Sequence, residues 1–330
     1  MYFRIHGGCD IGARPIDLHL SGFKKLGINV EEEAGYIKCS ADRIIGADIH
    51  LDFPSVGATE NIMLASVMAE GETTITNAAL EPEIVDLQKV LNKMGAKIQG
   101  AGTSVIKITG VKKLKETSHN IMPDRIEAGT LLVAAAITGG DIKLKNTCAE
   151  HITPVIHKLE EMGCKIDTKR DIIKLSAPKK LKAIDIKTMP YPGFPTDMQS
   201  VMGAICTVAK GTSVIIENIF ENRYKYTNEL KRMGAKITIE GKTAIIKGIK
   251  KLSGAEVNAT DLRGGAALVI AGLVAKGKTT VNNIEYILRG YEDLAAKLNS
   301  LGAKITKVGG KGEKTRSQKI KRTREKSKTK

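Results

Sequence analysis

The 330-residue sequence predicts an α/β fold assembled from repeated units of about 68 residues, with helices on the inside and sheets on the outside. Three observations lead to this prediction. A glycine recurs at a nearly constant spacing after five helix-like segments, and self-similarity at a fixed period is typical of repeat architectures. The first helix of most units is apolar on nearly every side, which indicates burial. The strands alternate apolar and polar residues, as in a sheet with one face in water.

The first mark of the repeat is a helix end that runs into a strand. A glycine at this point favours a left-handed residue that ends the helix. The segments KKLGINV, NKMGAKI, EEMGCKI, KRMGAKI and NSLGAKI place it at Gly27, Gly95, Gly163, Gly234 and Gly302, with spacings of 68, 68, 71 and 68 residues. Each mark therefore predicts a helix, a left-handed glycine and a strand, in that order.

A second mark precedes the first in four units. It is a helix, a glycine and a strand, with the glycine at Gly71, Gly140, Gly211 or Gly277. Its helices, such as LLVAAAI, VMGAICTVA and AALVIAGLVA, are apolar nearly all round. Each unit is thus predicted as helix–strand–helix–strand with a closing strand, such as SVIKITG or TAIIKGI. The first unit is shorter, because only 26 residues precede Gly27. We therefore expect the sequence to begin in the middle of its own repeat.

Composition limits the classes of function. Apolar residues make up 42% of the chain and aromatic residues 4%, and Trp is absent. No apolar run reaches the roughly 18 residues that span a bilayer, and no signal peptide precedes the first strand, so a cytoplasmic location is expected. The five cysteines are odd in number without CxxC spacing, and the six histidines show no metal-ligand spacing. We therefore expect neither disulfides nor a metal or other cofactor.

The basic charge is concentrated at the C-terminus. The formal net charge is +16, and residues 304–330 carry 12 Lys and Arg against 2 Glu, a net +10. Residues 306–330 contain almost no large apolar side chains, so they are predicted to form a solvated, disordered tail. Non-specific attraction to RNA or to an anionic surface is the alternative. No specific nucleic-acid partner, membrane insertion or oligomer is implied.

A glycine-rich loop, GGCDIGA, precedes a helix that the spacing of apolar residues from Ile16 to Leu26 predicts. The N–H groups of a helix N-terminus and an arginine at the junction, Arg14, favour an anion such as phosphate. Cys9 lies on this loop. A cysteine in such a setting is either an activated, reactive thiol or a structural residue.

Polar residues also open the buried helices of later units, in PSVGATENI, PDRIEAGT, FPTDMQSVM and ATDLRGGAAL. In the simplest interpretation Asp124, Asp197 and Asp261 are N-cap residues. In the alternative, helix starts from different units converge on one cleft and gather carboxylates and arginines there. The arginines that would clamp a phosphate or carboxylate group are Arg14, Arg263 and Arg289.

The sequence contains several long motifs: GGCDIGARPIDLHLSG, FPSVGATENIMLASVMAEG, EPEIVDLQKVLNKMGAKIQGAGT, PDRIEAGTLLVAAAITGG, YPGFPTDMQS, FENRY, ATDLRGGAALVIAG and ILRGYEDLAAKL. They closely resemble the enolpyruvyl transferases that begin peptidoglycan synthesis, the UDP-N-acetylglucosamine 1-carboxyvinyltransferases. The resemblance runs from about residue 7 to residue 307. The sister family of the shikimate pathway shares the fold but lacks the GGC loop.

The resemblance implies two inside-out α/β barrel domains, with six units in the family and about four and a half here. It assigns residues 1–122 to an incomplete first domain with the cysteine loop and residues 123–305 to a second domain of three units. Residues 306–330 remain as the basic tail. Roughly 108 residues of the family's first domain, by the period of the repeat, have no counterpart. They include a Lys-Asn pair that contacts phosphoenolpyruvate.

The resemblance further implies transfer of the enolpyruvyl group of phosphoenolpyruvate to the 3′-hydroxyl of UDP-N-acetylglucosamine, with release of phosphate. This step serves cell-wall biogenesis, and through it cell shape, the cell cycle and cell division. Cys9 would be the general acid and Asp197 would take the hydroxyl proton. Arg14, Arg263 and Arg289 would bind phosphoenolpyruvate, and Arg223 and Asp261 would line the cleft. The UDP-sugar contacts would be Arg14, Pro15, Ile16, Asp17, Leu18, Ser55, Val56, Gly57, Asp197 and Ile219.

The alternative is a truncated, inactive fragment, or a paralogue that binds the UDP-sugar without catalysis. Loss of one preorganised charged contact typically costs about 10²- to 10³-fold in rate. The missing Lys-Asn pair is such a loss, so the sequence alone leaves both hypotheses open.

Overall fold

A computed structural model of the chain describes residues 2–4, 16–33 and 35–308. Contact density divides the chain into two compact units, Met1–Gly290 and Tyr291–Lys330. The boundary predicted between residues 122 and 123 stays a prediction. No helix in the described part of the chain has the length and apolar character that crossing a membrane requires.

The helices alternate with strands throughout the described residues. The α-helices are α1 (Asp17–Lys25), α2 (Val56–Ser66), α3 (Pro82–Lys93), α4 (Arg125–Thr138), α5 (Thr153–Glu161), α6 (Gln199–Cys206), α7 (Tyr226–Arg232), α8 (Leu262–Gly272) and α9 (Leu294–Ser300). Short 3₁₀ helices occupy Ala149–Ile152, Thr196–Met198 and Ile287–Arg289.

Within the described residues, five small sheets contain the strands. The first half of the chain holds β1 (Tyr2–Arg4), β2 (Asn29–Glu33), β3 (Tyr36–Ser40), β4 (Asp48–His50), β5 (Glu72–Thr76), β6 (Lys97–Gln99), β7 (Val105–Thr109) and β8 (Asp141–Leu144). The second half holds β9 (Lys165–Lys169), β10 (Ile172–Ser176), β11 (Asp185–Lys187), β12 (Thr212–Ile216), β13 (Lys236–Glu240), β14 (Thr243–Lys247), β15 (Glu256–Asn258) and β16 (Thr280–Asn282).

The repeat is visible in the sheet topology. Two sheets have the same strand arrangement, β4-β5-β7-β6 and β11-β12-β14-β13. In both, the first pair is parallel and the other pairs are antiparallel. A full unit is therefore strand–helix–strand–helix–strand–strand. The short leading strands β4, β11 and β15 are absent from the sequence prediction, because three residues are too few to reveal an alternation.

The glycine marks behave as predicted. Gly27, Gly95, Gly163, Gly234 and Gly302 all have positive φ, between 80° and 103°. Each follows the second helix of a unit and leads towards the next strand, except that no strand follows Gly302 within the described residues. At the second mark of the third unit the left-handed residue is Gly139, not its neighbour Gly140.

The first helices of the last three units, α4, α6 and α8, are largely buried, as predicted, whereas α2 leaves Asn61 and Leu64 exposed. All eight residues of α6 are buried, and α6 packs against both α4 and α8. The strands around them present one face inwards. In β7, for example, Ile106 and Ile108 are buried while Lys107 is exposed. Helices therefore lie inside and sheets outside, in the α/β arrangement that the sequence predicts.

Candidate active site

Asp197 lies at the centre of a charged cluster in the second half of the chain. It belongs to the 3₁₀ helix Thr196–Met198, just before α6. Its Oδ1 accepts a hydrogen bond from Arg223 Nη2 at 2.8 Å. Its Oδ2 accepts two from Arg263, at 3.1 Å from Nε and 3.0 Å from Nη2. Both carboxylate oxygens are thus engaged by arginine side chains.

The two arginines are buried behind the carboxylate. The side chains of Arg223 and Arg263 are 4% and 12% exposed, whereas that of Asp197 is 39% exposed. Burial raises the pKa of the Asp197 carboxyl, but the charges and hydrogen bonds of the two arginines outweigh that effect. The net result is a pKa below the ordinary value of aspartate, so the group is ionised at neutral pH.

Each arginine is held by its own local structure. Arg263 lies in the first turn of α8. Asp261, two residues earlier, caps this helix. It accepts hydrogen bonds from the backbone N–H groups of Arg263 and Gly264, at 3.0 and 2.8 Å. Arg223 lies in the turn after β12, with its guanidinium 5.4 Å from the ring centroid of Phe220. Capping therefore fixes the backbone that carries Arg263, and the cation–π contact orients the guanidinium group of Arg223.

The three aspartates at helix starts have different roles. Asp124 and Asp261 are N-cap residues, since each accepts hydrogen bonds from two backbone N–H groups of its helix. Asp197 caps nothing, because its side chain pairs with arginines from two other segments. The simple interpretation is therefore right for Asp124 and Asp261 and wrong for Asp197, where helix starts from different units do converge.

The turn that carries Arg289 packs against the same helix as Arg263. Arg289 is exposed, at the end of the 3₁₀ helix Ile287–Arg289. A Cβ atom on Gly290 would lie 2.7 Å from Leu262 Cδ2, so this turn closely approaches the first turn of α8. The structure thus brings the segments of Arg223, Arg263 and Arg289 into one region.

A second group of predicted residues gathers where α1 meets α2. Ser55 caps α2 by accepting a hydrogen bond from Ala58 N at 3.3 Å. A Cβ atom on Gly57 would lie 3.1 Å from Cε1 of His19, so the two helices are close at this point. This contact brings Asp17 and Leu18, beside His19, close to the segment Ser55–Gly57.

The N-terminus of α1 has no side-chain cap. Its N-cap residue is Ile16, which makes no side-chain hydrogen bond to the helix. The neighbouring residues Cys9, Arg14 and Pro15, for which the sequence predicts roles, lie outside the described residues. Their predicted roles as general acid, anion ligand and sugar contact stay predictions.

Sequence reasoning missed His19, which links the two helices. Its Nδ1 lies 2.8 Å from Asn61 Nδ2. Burial lowers the pKa of His19, and the nearby Asp17 carboxylate opposes that shift. The helical periodicity could have placed His19 beside the predicted contacts, but nothing in its spacing marked it.

A charged cluster at the start of α4 was also missed. Arg125 Nε donates a hydrogen bond to Glu83 Oε1 at 2.9 Å, and its guanidinium lies 5.7 Å from the ring centroid of Tyr191. Burial, with repulsion between neighbouring carboxylates, raises the pKa of both Glu60 and Glu81. This cluster joins segments from the two predicted domains, and the motif PDRIEAGT contains its arginine.

Comparison with known families identifies the chain's relatives. Residues 1–298 match the family model described as EPSP synthase (3-phosphoshikimate 1-carboxyvinyltransferase). The chain is 59% identical over 299 residues to UDP-N-acetylglucosamine 1-carboxyvinyltransferase 1 of Caldanaerobacter subterraneus, covering 91% of this chain and 72% of that protein. It is 57% identical to the UDP-N-acetylglucosamine 1-carboxyvinyltransferase of Halothermothrix orenii, over 92% of this chain and 72% of that protein.

Solved structures agree with this assignment. The enolpyruvyl transferase NikO from Streptomyces tendae superposes with a TM-score of 0.80 at 26% identity, over 89% of this chain and 73% of that one. EPSP synthase from Acinetobacter baumannii shares the fold, with a TM-score of 0.69 at 22% identity, over 92% of this chain and 74% of that one. From the motifs, the repeated units and these relatives together, the chain belongs to the enolpyruvyl transferases, and within them to the UDP-N-acetylglucosamine 1-carboxyvinyltransferase family.

Proposed function

We propose that this chain transfers the enolpyruvyl group of phosphoenolpyruvate to the 3′-hydroxyl of UDP-N-acetylglucosamine and releases phosphate. This is the first committed step of peptidoglycan synthesis. The observation that carries the proposal is the Asp197 carboxylate held between Arg223 and Arg263. Asp197 is the residue that the resemblance assigns as proton acceptor, and the proposal is supported by 59% identity to an enzyme named for this transfer.

Asp197 takes the proton of the sugar hydroxyl in this scheme. The carboxylate is ionised and partly exposed, so it is ready to accept a hydrogen bond from a hydroxyl group. Its lowered pKa makes it a weak base while both arginines remain in contact with it. Activation of the base therefore requires at least one of the two ion pairs to loosen.

Arg263 provides a route to that activation. Phosphoenolpyruvate carries a phosphate and a carboxylate, and a guanidinium group binds either one bidentately. When the anion binds the guanidinium group of Arg263, Oδ2 of Asp197 loses its two hydrogen bonds. The pKa of Asp197 then rises. Binding of the donor substrate thus prepares the base for the acceptor hydroxyl.

The remaining proton transfers involve Cys9. In the addition step, the thiol proton of Cys9 goes to the methylene carbon of phosphoenolpyruvate. At the same time the sugar oxygen bonds to the adjacent carbon, and the hydroxyl proton goes to Asp197. In the elimination step, the Cys9 thiolate takes a proton back from the new methyl group while the carbon–oxygen bond to phosphate breaks, which leaves the enol ether. Asp197 gives the hydroxyl proton to the departing phosphate, so that both side chains return to their starting states. Arg14 and Arg289 neutralise the anionic groups throughout.

The UDP-sugar is assigned to the N-termini of α1 and α2, with residues 14–18 and 55–57, and to Ile219. Helix N-termini present N–H groups and a positive dipole end, which suit the diphosphate. A cytoplasmic location and roles in cell shape and division follow from this function as part of the proposal.

The test is product formation by the purified chain. Phosphoenolpyruvate and UDP-N-acetylglucosamine are supplied together, phosphate is measured by a colorimetric assay, and the nucleotide product is measured by mass spectrometry. The proposal predicts one phosphate for each enolpyruvyl-UDP-N-acetylglucosamine formed, and no phosphate when either substrate is omitted. A folded chain that binds UDP-N-acetylglucosamine but forms no product would instead support the non-catalytic alternative.

A further inference from the structure

Glu217 is a buried carboxylate for which the family motifs suggest no role. It follows β12 directly and is only 2% exposed. Burial of a charged group is costly unless its hydrogen-bonding capacity is filled. Four donors fill it, and all are hydroxyl or backbone N–H groups. Oε1 accepts from Thr188 Oγ1 (2.9 Å), Ile219 N (2.8 Å) and Phe220 N (3.2 Å), and Oε2 accepts from Thr196 Oγ1 (3.0 Å).

Two of these donors are the ends of one loop. Thr188 follows β11, and Thr196 is the first residue of the 3₁₀ helix that contains Asp197. Between them the chain folds back on itself, with Met189 N donating to Phe194 O at 3.0 Å. Glu217 therefore holds the beginning of this loop with one oxygen and its end with the other.

The other two donors belong to the turn after β12. Ile219 is a proposed sugar contact, and Phe220 lies under the guanidinium group of Arg223. A single carboxylate thus ties the backbone beside Asp197 to the turn that carries Ile219 and Arg223. A carboxylate suits this position because it only accepts hydrogen bonds and offers about four acceptor sites.

We propose that Glu217 is a positioning residue for the transfer reaction, which fixes Asp197 relative to Ile219 and Arg223. The inference rests on the proposed function for its kinetic consequence. Its structural content is independent, since the four hydrogen bonds hold Asp197 near its arginines whether or not substrate is present. A displacement of about 1 Å at a catalytic group can cost about 10²-fold in rate.

The test compares Glu217→Ala with Glu217→Gln. The alanine variant loses all four hydrogen bonds. The glutamine variant keeps an oxygen for Thr188, Ile219 and Phe220, and its amide N–H can donate to the Thr196 hydroxyl. We expect Glu217→Ala to lower kcat about 10- to 100-fold, with little change in the KM for phosphoenolpyruvate, and Glu217→Gln to restore most of kcat.

A second measurement does not depend on turnover. The Asp197 carboxyl is titrated by ¹³C NMR in the wild-type chain and in the variants. In Glu217→Ala the titration should move upwards towards the ordinary aspartate value, because the ion pairs with Arg223 and Arg263 loosen. Should the alanine variant fail to fold, Thr196→Val removes only the bond to Oε2, and we expect a smaller shift in the same direction.

The control is Asn92→Ala. Asn92 also makes side-chain hydrogen bonds to backbone groups, with Ile98 O at 2.8 Å and Ile98 N at 2.9 Å, but it is exposed and belongs to a different unit. It should lower stability without moving kcat or the Asp197 titration. The inference is overturned if Glu217→Ala leaves both kcat and the titration of Asp197 unchanged. The same holds for Thr196→Val, if that variant has to replace Glu217→Ala. If the wild-type chain shows no turnover, the proposed function fails, while the titration still decides the role of Glu217.

Discussion

At the scale of single residues, Asp197 is held by charge and not by the start of its helix. In sequence it cannot be told apart from Asp124 and Asp261, since all three precede buried helices. The difference depends on Arg223 and Arg263, which lie 26 and 66 residues further along the chain. Local sequence thus predicts that an aspartate stands at a helix start, but only the fold determines whether a backbone N–H or a guanidinium group meets it.

This ion-pair arrangement makes the stability of the chain depend on pH. Because the pKa of Asp197 is lowered in the native state, its stabilising contribution is present above the ordinary aspartate pKa and is lost as the pH falls through the lowered value. Asp197→Asn should therefore lower the free energy of unfolding at pH 7 by about 1–3 kcal/mol. That is less than for a fully buried pair, because the carboxylate is partly exposed to solvent.

Urea denaturation at a series of pH values checks this expectation. The difference between the wild-type chain and Asp197→Asn should shrink as the pH is lowered below the ordinary aspartate range. Asp167→Asn, a matched change at an exposed position in β9, should have no such effect. A difference that is constant over the whole pH range would contradict the ion-pair account.

At the scale of elements, the glycine marks and the apolar helices are predicted well by sequence, because both depend on short-range requirements. A left-handed helix end needs glycine, and a helix buried on all sides needs apolar residues all round. The close contacts between elements are different, because residues that are distant in sequence define them. Gly203 in α6 is an example, since a Cβ atom at this position would clash with the hydroxyl oxygen of Tyr226.

Gly203→Ala should therefore destabilise the chain by about 1–3 kcal/mol through overpacking. Removing the hydroxyl in Tyr226→Phe should relieve part of this cost. Within the described residues the Tyr226 hydroxyl makes no hydrogen bond, so Tyr226→Phe alone should cost little. Thermal unfolding of the two single variants and the double variant measures this coupling.

The control for this prediction is Gly140→Ala. A Cβ atom on Gly140 would have no neighbour closer than 3.7 Å, so the substitution should change stability much less. Equal destabilisation by the two glycine substitutions, or no relief in the double variant, would count against the packing described for α6.

At the scale of the whole molecule, the assignment combines two kinds of information. The repeat and the buried helices give the fold from physical patterns in the sequence, whereas the motifs give the family by resemblance. Neither the physical patterns nor the motifs predict the contacts of Glu217 or of the cluster of Glu83, Arg125 and Tyr191. Those contacts join segments that only the fold brings together. The relatives share 55–59% identity with over 90% of the chain, which supports the assignment of the chain to their family.

The central claim is that the transfer takes place at the Asp197–Arg223–Arg263 cluster. The most direct measurement is the rate of phosphate release from both substrates by Asp197→Asn and by Asp167→Asn, with folding of each variant checked by circular dichroism. The account predicts that Asp197→Asn lowers kcat about 10²- to 10⁴-fold, because the hydroxyl proton loses its acceptor, while Asp167→Asn keeps the wild-type rate. A folded Asp197→Asn variant that turns over at the wild-type rate would contradict it.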